Sequence, residues 1–418
     1  MNTTKPAGQI TGKINANPNP IFFGQRCVVS WDTNDPAGAE VRVSTGPNDE
    51  RLVTQGGKSG HVEIPWITDS TVYEFRLYAA SHPEVALDSV QARREIESAP
   101  AALCEIADEV TRGNIDMAEL SRFIAAVMPI CLESTEIRKL FQNWERHGFH
   151  VTPVHFYQPI PDTQSLPETV WSRPSELAGI EMNNSLQLDL LRNHFPKFRG
   201  EYQRFPTKPT TEQNEFYIEN HLFDGVDALV AYCMVRHFRP ELIIEVGGGF
   251  SSLILGDAAT KNDHSELICI EPFPREFLRK GFPRLQSLIE KKVQEIDLMF
   301  FSQLESGDIL FIDSSHTVKI GGDVNYLFLE VLPRLKPGVI VHVHDIFLPF
   351  EYRRDWVLDE FRFWTEQYLL QAFLMFNSDF KVLMANSYLN HYHQEDLKAA
   401  FPSLSSWAGG SFWMRRRP

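Results

Sequence analysis

From residue 15 to residue 98 the chain alternates apolar and polar positions in short runs. Among them are Arg26–Trp31, Glu40–Val43, His61–Ile64 and Val72–Tyr78, separated by turn-forming stretches such as Asn34-Asp35-Pro36 and Gly56-Gly57. A period of two puts one face of each run in a core and the other in solvent, so this region reads as a small β-sandwich. From Ala101 to His147 the period becomes helical. Leu120, Phe123, Ile124 and Val127 follow i, i+3, i+4, i+7 spacing and predict a helix with one buried face. Prolines at 153, 159, 161, 167 and 174 then exclude a continuous helix. That passage reads as an extended arm, and its aromatic residues Phe156, Tyr157 and Trp171 suit either a substrate-side lid or a plain linker. Leu186 to Phe195 predicts another helix.

At Val226 the pattern changes again. Val226, Leu229, Val230, Cys233, Met234 and Phe238 form a helical stripe ending at Arg239-Pro240. The unbroken apolar run Leu242-Ile243-Ile244 follows, as expected for a strand buried on both faces. Further strands are predicted at Glu266–Glu271, Lys292–Ile296, Asp308–Asp313, Val339–Asp345 and Asp379–Ala385, with Ser411–Arg415 as an antiparallel last strand. An amphipathic helix carries Val324, Leu327, Phe328, Val331, Leu332 and Leu335 on one face, and a long helix is predicted through Trp356–Phe376. Strands alternating with helices define an α/β fold with a doubly wound parallel sheet. Three parts are therefore expected: a β-sandwich at 1–98, a helical and proline-rich connector or lid at 99–210, and the doubly wound domain at 211–418.

Composition narrows the function. At 418 residues the chain exceeds a single ordinary core, and 43% hydrophobic with 23% charged residues is the balance of a folded chain. The formal charge of −15 argues against a nucleic-acid partner. The one dense basic run, Arg415-Arg416-Arg417, reads as a solvated end. Five scattered cysteines (27, 104, 131, 233, 269) without a C-x-x-C pair disfavour a zinc cluster or a disulfide framework and fit a reducing compartment. The N-terminal stretch is polar and has no signal-peptide core, and no run approaches the roughly 18 to 20 apolar residues of a membrane span. A cytoplasmic protein with no membrane partner is expected.

The candidate chemistry begins at Glu241–Ser252, ELIIEVGGGFSS. Glycine lets backbone approach a ligand, and the helix that follows offers unpaired N–H groups. A dinucleotide site would need G-x-G-x-x-G, but Phe250-Ser251-Ser252 follow Gly247-Gly248-Gly249 and the third glycine is missing. Glu245, two residues ahead of Gly247, would repel a pyrophosphate but can act through an ordered network on an ammonium-bearing ligand. Acid-x-Gly-x-Gly is instead the first motif of Rossmann-type S-adenosylmethionine-dependent methyltransferases. Glu271 ends the next strand 26 residues later, where an acid would hold the ribose hydroxyls of either cofactor. Two further clusters stand at strand ends, Asp313-Ser314-Ser315-His316 and His342-Val343-His344-Asp345. In an open α/β sheet both tips face one crevice.

From about Cys131 to Pro418 the chain resembles a bacterial class I methyltransferase family. The resemblance rests on EVGGGFSS, IEPFP, DILFIDSSH, LKPGVIVHVHDIF, EQYLLQAFLMFN and GGSFWMRR. Asp-x-x-His followed by an acid at the next strand end is similar to the macrocin-type sugar O-methyltransferases. The glycine turn and the acids at the strand ends put Gly247, Gly248, Gly249, Ser251, Glu245, Glu271, Asp297 and Asp313 on the cofactor side. The resemblance implies His316 as general base and Asp313 and Asp345 as ligands of Mg²⁺ or another divalent cation, with His344 beside them as a further metal candidate. His344 stands where those enzymes have a second acid, and imidazole suits zinc, manganese or iron better than magnesium. The order PNPI, VVSW, PWI, YEFRLY resembles an immunoglobulin- or fibronectin-like module, used for packing, dimerisation or carbohydrate binding.

Other candidates have plainer uses. Asp297 could contact adenine or cap a turn. Asp224 and Asp227 could reach the methionine end or serve a helix start. His391 and His393 read as solvated, and Ser314 and Ser315 lack the G-x-S-x-G elbow of a hydrolase. The expectation is methyl transfer from S-adenosylmethionine to a hydroxyl of a small-molecule or saccharide acceptor, in a chain free to form a homo-oligomer. The alternatives are an NAD(P)-dependent oxidoreductase and a non-catalytic scaffold that retains the fold.

Overall fold

The computed structural model describes residues 10–19, 21, 27–46, 49–64, 67, 72–93, 116–211 and 215–417. The chain divides into two compact units, Met1–Pro159 and Ile160–Pro418.

Among the described residues of the first unit, seven strands form two antiparallel sheets: β1 (Gly12–Asn17), β2 (Cys27–Thr33), β3 (Ala39–Ser44), β4 (Arg51–Gly56), β5 (Ser59–Ile64), β6 (Tyr73–Ala79) and β7 (His82–Ala92). The sheet orders are β1-β2-β5 and β4-β3-β6-β7. Alternation along β2 turns Cys27, Val29 and Trp31 inward, where they share a core with Val41, Val43, Phe75 and Leu77 of the other sheet. The Trp31 ring lies over Gly56 and Gly60, where an added Cβ would come within 2.7 and 2.4 Å of it. Its Nε1 donates to the Gly57 carbonyl at 3.2 Å. Arg26, the first residue of the expected run, and residues 101–115 with Cys104 lie outside the described residues. The remaining cysteines are free thiols.

Two helices follow, α1 (Met117–Leu132) and α2 (Ile137–Arg146), with Asp116 capping α1 through the Ala118 N–H. Here the expectation of a buried face fails: Phe123 and Ile124 remain 57% and 45% exposed. Spacing identifies which residues share a face but not whether anything covers it.

The second unit holds a seven-stranded sheet of order β10-β9-β8-β11-β12-β14-β13. Its strands are β8 (Leu242–Val246), β9 (Glu266–Ile270), β10 (Leu285–Ile289), β11 (Ile309–Ile312), β12 (Ile340–Val343), β13 (Phe380–Ala385) and β14 (Phe412–Arg416). β10 to β12 pair in parallel through β8, and β14 runs antiparallel between β12 and β13, as the last strand was expected to do. Each central strand is buried on both faces, which explains its unbroken apolar run. Ile243, Ile309 and Phe311 join one core with α3 (Gly225–Phe238) and α4 (Phe250–Asn262). Ile244, Leu310 and Ile312 join the other with the 324–335 helix and α5 (Glu366–Leu374).

Three expectations need correction. Lys292–Ile296 is not a strand: Val293–Glu295 form a 3₁₀ turn, and the edge strand is β10. β10 is half-exposed at the sheet edge and lacks the continuous apolar signature by which the central strands were recognised. The helix through Trp356–Phe376 is two pieces, Arg354–Leu358 and α5. Between them Phe361 takes φ 59°, which a continuous helix cannot include. Arg415 and Arg416 are not a solvated end, because Arg415 Nε donates to the Gly338 carbonyl at 3.0 Å and Arg416 to those of Pro333 and Leu335, while Arg417 is exposed. Within this unit the segment around Leu177 to Gln187 is fastened to the sheet. Ser175 N–H donates to the Pro349 carbonyl at 2.7 Å, Leu177 and Met182 enter the core, and the side-chain Oε1 of Gln187 accepts from Ala385 N–H at 2.9 Å.

Candidate active site at the strand tips

The sheet order reverses at β8, so a crevice opens beyond the tips of β8 and β11. Gly247 begins the turn there with φ 86°, and a Cβ would lie 1.7 Å from the Asp313 carbonyl oxygen. Only glycine combines that backbone with that approach. Neighbouring strands hold the turn in place: Gly247 N–H donates to the Ile270 carbonyl at 2.9 Å, and Asp313 N–H to that of Val246 at 2.8 Å. At Gly248 a Cβ would meet Cys269 Sγ at 2.2 Å, and its N–H donates to Glu271 Oε2 at 3.1 Å. At Gly249 a Cβ would meet nothing within 4 Å, so this glycine borders open space.

Glu245 is fully buried behind the turn. Ser251 Oγ donates to its Oε1 at 2.7 Å and Ser252 Oγ to its Oε2 at 2.5 Å, while Gly249 N–H donates to Ser252 Oγ. Burial pushes its carboxyl up to about 8 despite the serines. Glu245 thus ties the first turn of α4 to β8 instead of lining the crevice. Ser252, at the position of the missing third glycine, makes that helix-to-strand contact polar. Glu271 is half-buried, accepting from Phe273 N–H at 2.7 Å as well as from Gly248, and burial raises its carboxyl. Asp297 is exposed and caps a 3₁₀ turn, accepting from Met299 N–H at 2.8 Å.

Next to the turn, the tips of β11 and β12 bring together Asp313, His316, His344 and Asp345. His316 Nε2 lies 3.3 Å from Asp313 Oδ1 and 3.6 Å from Asp345 Oδ2. His344 Nδ1 lies 3.2 Å from Asp313 Oδ1 and 3.7 Å from Asp345 Oδ2. On the far side of the first ring, His316 Nδ1 meets the buried Glu366 Oε2 at 2.9 Å, and Ser314 Oγ donates to Oε1 of the same carboxylate. Glu366 is fixed in turn, since the N–H groups of Thr365 and Glu366 both donate to the His316 carbonyl. Behind His344, Asp227 is 3.6 Å from Nε2 and accepts from Asn386 and from the N–H groups of Gly410 and Ser411.

Four carboxylates around two imidazoles make a field that favours positive charge. Burial alone would lower the His316 pKa, but hydrogen bonds to Asp313 and Glu366 outweigh it and raise it to about 10. His344 is likewise raised against its burial by Asp345, Asp313 and Asp227. Asp313 is held well below the usual carboxylate range, its burial overcome by the two imidazoles, whereas burial raises Asp345.

The other candidates serve the fold. His342 is buried and stacks on Phe311 at 3.8 Å, with Nε2 2.9 Å from Ser411 Oγ, and burial lowers its pKa. Asp224 accepts from His221 N–H at 3.1 Å, and Ser315 Oγ donates to Asp323. His391 packs edge-on against Phe350, and His393 stands between two short helices. Sequence reasoning missed Glu366, an acid in an otherwise ordinary helix start, and Trp364, whose ring lies 4.4 Å from that of His316.

Residues 244–346 match a family model described as a methyltransferase domain. An uncharacterized protein of Archaeoglobus fulgidus is 36% identical over 170 residues, covering 38% of this chain and 75% of the archaeal one. The chain belongs to the family of that archaeal protein and contains a methyltransferase domain. Among solved structures, it is similar to an O-methyltransferase from Bacillus cereus in complex with SAH (14% identity, TM-score 0.30, 48% of this chain and 84% of that one). It is also similar to the plantazolicin methyltransferase BpumL in complex with SAH (10% identity, TM-score 0.29, 45% and 82%).

Proposed function

We propose that this protein is an O-methyltransferase that uses S-adenosylmethionine, with a hydroxyl of a sugar or glycan-pathway metabolite as acceptor. The observation that carries this reading is the contact between Gly247 and the Asp313 carbonyl, which sets the glycine turn directly beside the acid–histidine cluster. A donor cradle and a group of proton-handling residues then share one crevice. The polar Glu245–Ser252 link, in place of a third glycine, fits this donor better than a dinucleotide.

When bound, S-adenosylmethionine supplies a methyl on a sulfonium, already a good leaving group. Glu271 would hold the ribose hydroxyls, Gly248 and Gly249 would border the donor, and Asp297 would stand on the adenine side. Glu245 and Ser251 act indirectly by fixing the turn. Positioning and exclusion of water supply much of the remaining rate. The acceptor hydroxyl must also give up a proton, and the tips of β11 and β12 gather the groups that favour its loss. His316 reaches that region through Nε2, with its ring oriented by Glu366, and serves as the base in its deprotonated fraction, which grows as pH rises toward about 10. The N-terminal sandwich is read as an immunoglobulin- or fibronectin-like module for packing or dimerisation, in a cytoplasmic enzyme.

Calorimetric titration with S-adenosylhomocysteine tests the donor assignment. Glu271→Ala should weaken binding about tenfold or more, the loss of a charged hydrogen-bonding partner. An unchanged affinity would remove Glu271 from the donor site.

A further inference from the structure

We propose that the second unit holds a separate anion site, at the edge of the sheet opposite the glycine turn, for a phosphate monoester with an apolar body. Lys381 and Arg415 take the phosphate. β14 runs antiparallel to β12, and Arg415 pairs with Ile340 at the start of β12, whereas His344 and Asp345 follow its end. The site therefore uses none of the residues at the strand tips and does not depend on the methyl-transfer reading.

The strand register carries the argument. Lys381 of β13 and Arg415 of β14 are direct cross-strand partners. Like charges directly opposite each other destabilise a sheet. Among the described residues no carboxylate relieves the pair: the Lys381 ammonium has no hydrogen-bond or ion-pair partner, and Arg415 donates through Nε alone, to the Gly338 carbonyl. The neighbouring cations are accounted for. Arg417 lies 3.4 Å from Glu181, His194 Nε2 lies 3.1 Å from Asp189, and Arg416 is bonded to the Pro333 and Leu335 carbonyls. In a chain with 55 acidic and 40 basic residues, two adjacent cations left without an acid are not a product of composition.

The pair borders a cavity of about 370 Å³, a size usual for small-molecule sites. Leu186, Leu190, Phe238 and Leu383 give it an apolar wall, and the rings of His194 and His237, edge to face at 4.5 Å, line it as well. α3 ends at the same cavity, and the partial negative charge of its C-terminus helps to hold the two cations without neutralising them. Their charge selects the ligand. A phosphate monoester carries about −1.5 to −2 at neutral pH and matches two cations, where a carboxylate matches one. The guanidinium of Arg415 keeps its terminal nitrogens unbonded, and that planar fork suits phosphate oxygens. The apolar wall calls for an organic body, so free phosphate fills only part of the site. The formal charge of −15 argues against a nucleic acid as the source of the phosphate.

The test titrates the full chain at low salt with phenyl phosphate, inorganic phosphate and benzoate, followed by calorimetry. One phenyl phosphate per chain should bind, about tenfold or more tighter than either of the other two. Lys381→Gln and Arg415→Gln should each weaken it about tenfold or more, while the far-ultraviolet spectrum stays that of the wild type. A second reading needs no ligand: Lys381→Gln should raise the thermal midpoint of the anion-free protein, because it removes the cross-strand repulsion. Phenyl phosphate should then raise the midpoint of the wild type more than that of the variant. No binding, equal binding of all three anions, an affinity unchanged in both variants, or a lowered midpoint in Lys381→Gln would overturn the proposal. Displacement of phenyl phosphate by S-adenosylhomocysteine would overturn it too, by placing the anion in the strand-tip crevice.

Discussion

Gly247 and Gly249 look alike in sequence and differ completely in space. At Gly247 a methyl group would collide with the Asp313 carbonyl and force a positive φ on an L-residue, while at Gly249 it would enter open space. Gly247→Ala should cost about 2–5 kcal/mol, combining backbone strain with overpacking. Gly249→Ala should stay within about 0.5 kcal/mol of wild type, as an unobstructed substitution does. Chemical denaturation of the two variants checks the contrast, and equal losses would contradict it. The sequence showed that a glycine turn was present but not which glycine the fold requires, because the deciding atom belongs to Asp313, just past the end of β11 and 66 residues away. Glu366 was illegible for the same reason. Its contact with His316 spans 50 residues and leaves no local pattern.

Elements were legible where burial is uniform. β8, β11 and β12 are covered on both faces and announce themselves as apolar runs, whereas the edge strand β10 does not and was displaced in sequence to Lys292–Ile296. The break before α5 was missed because it depends on the His316 carbonyl receiving two N–H groups from the new helix start. The link between β8 and α4 makes a prediction at this scale. Glu245 keeps its proton in the fold to about pH 8, against an ordinary value near 4.5. Below that ordinary value both states are protonated. Between the two values only the unfolded chain is ionised, so stability falls as pH rises through this window and levels off above it. The slope attributable to one group is at most about 1.4 kcal/mol per pH unit. Glu245→Gln should flatten it, read as a smaller difference in denaturation midpoint between about pH 5.5 and about pH 7.5. An unchanged slope would show that Glu245 is not the titrating group.

At the scale of the whole molecule, composition and patterning separated an all-β region from an α/β region, and the structure contains both. Residues 160–211 fall in the same compact unit as the seven-stranded sheet. Nothing in their proline-rich sequence reveals that packing, because Leu177 and Met182 reach the core as isolated side chains and not as a periodic face. Among the described residues no helix is long and apolar enough to cross a membrane. The central claim concerns the cofactor for which the crevice of the second unit is built. Calorimetric titration of the full chain with S-adenosylmethionine and, separately, with NADH and NADPH tests it most directly. The account predicts saturable binding of S-adenosylmethionine at one site per chain and none of either nicotinamide cofactor. Binding of a nicotinamide cofactor alone would contradict it.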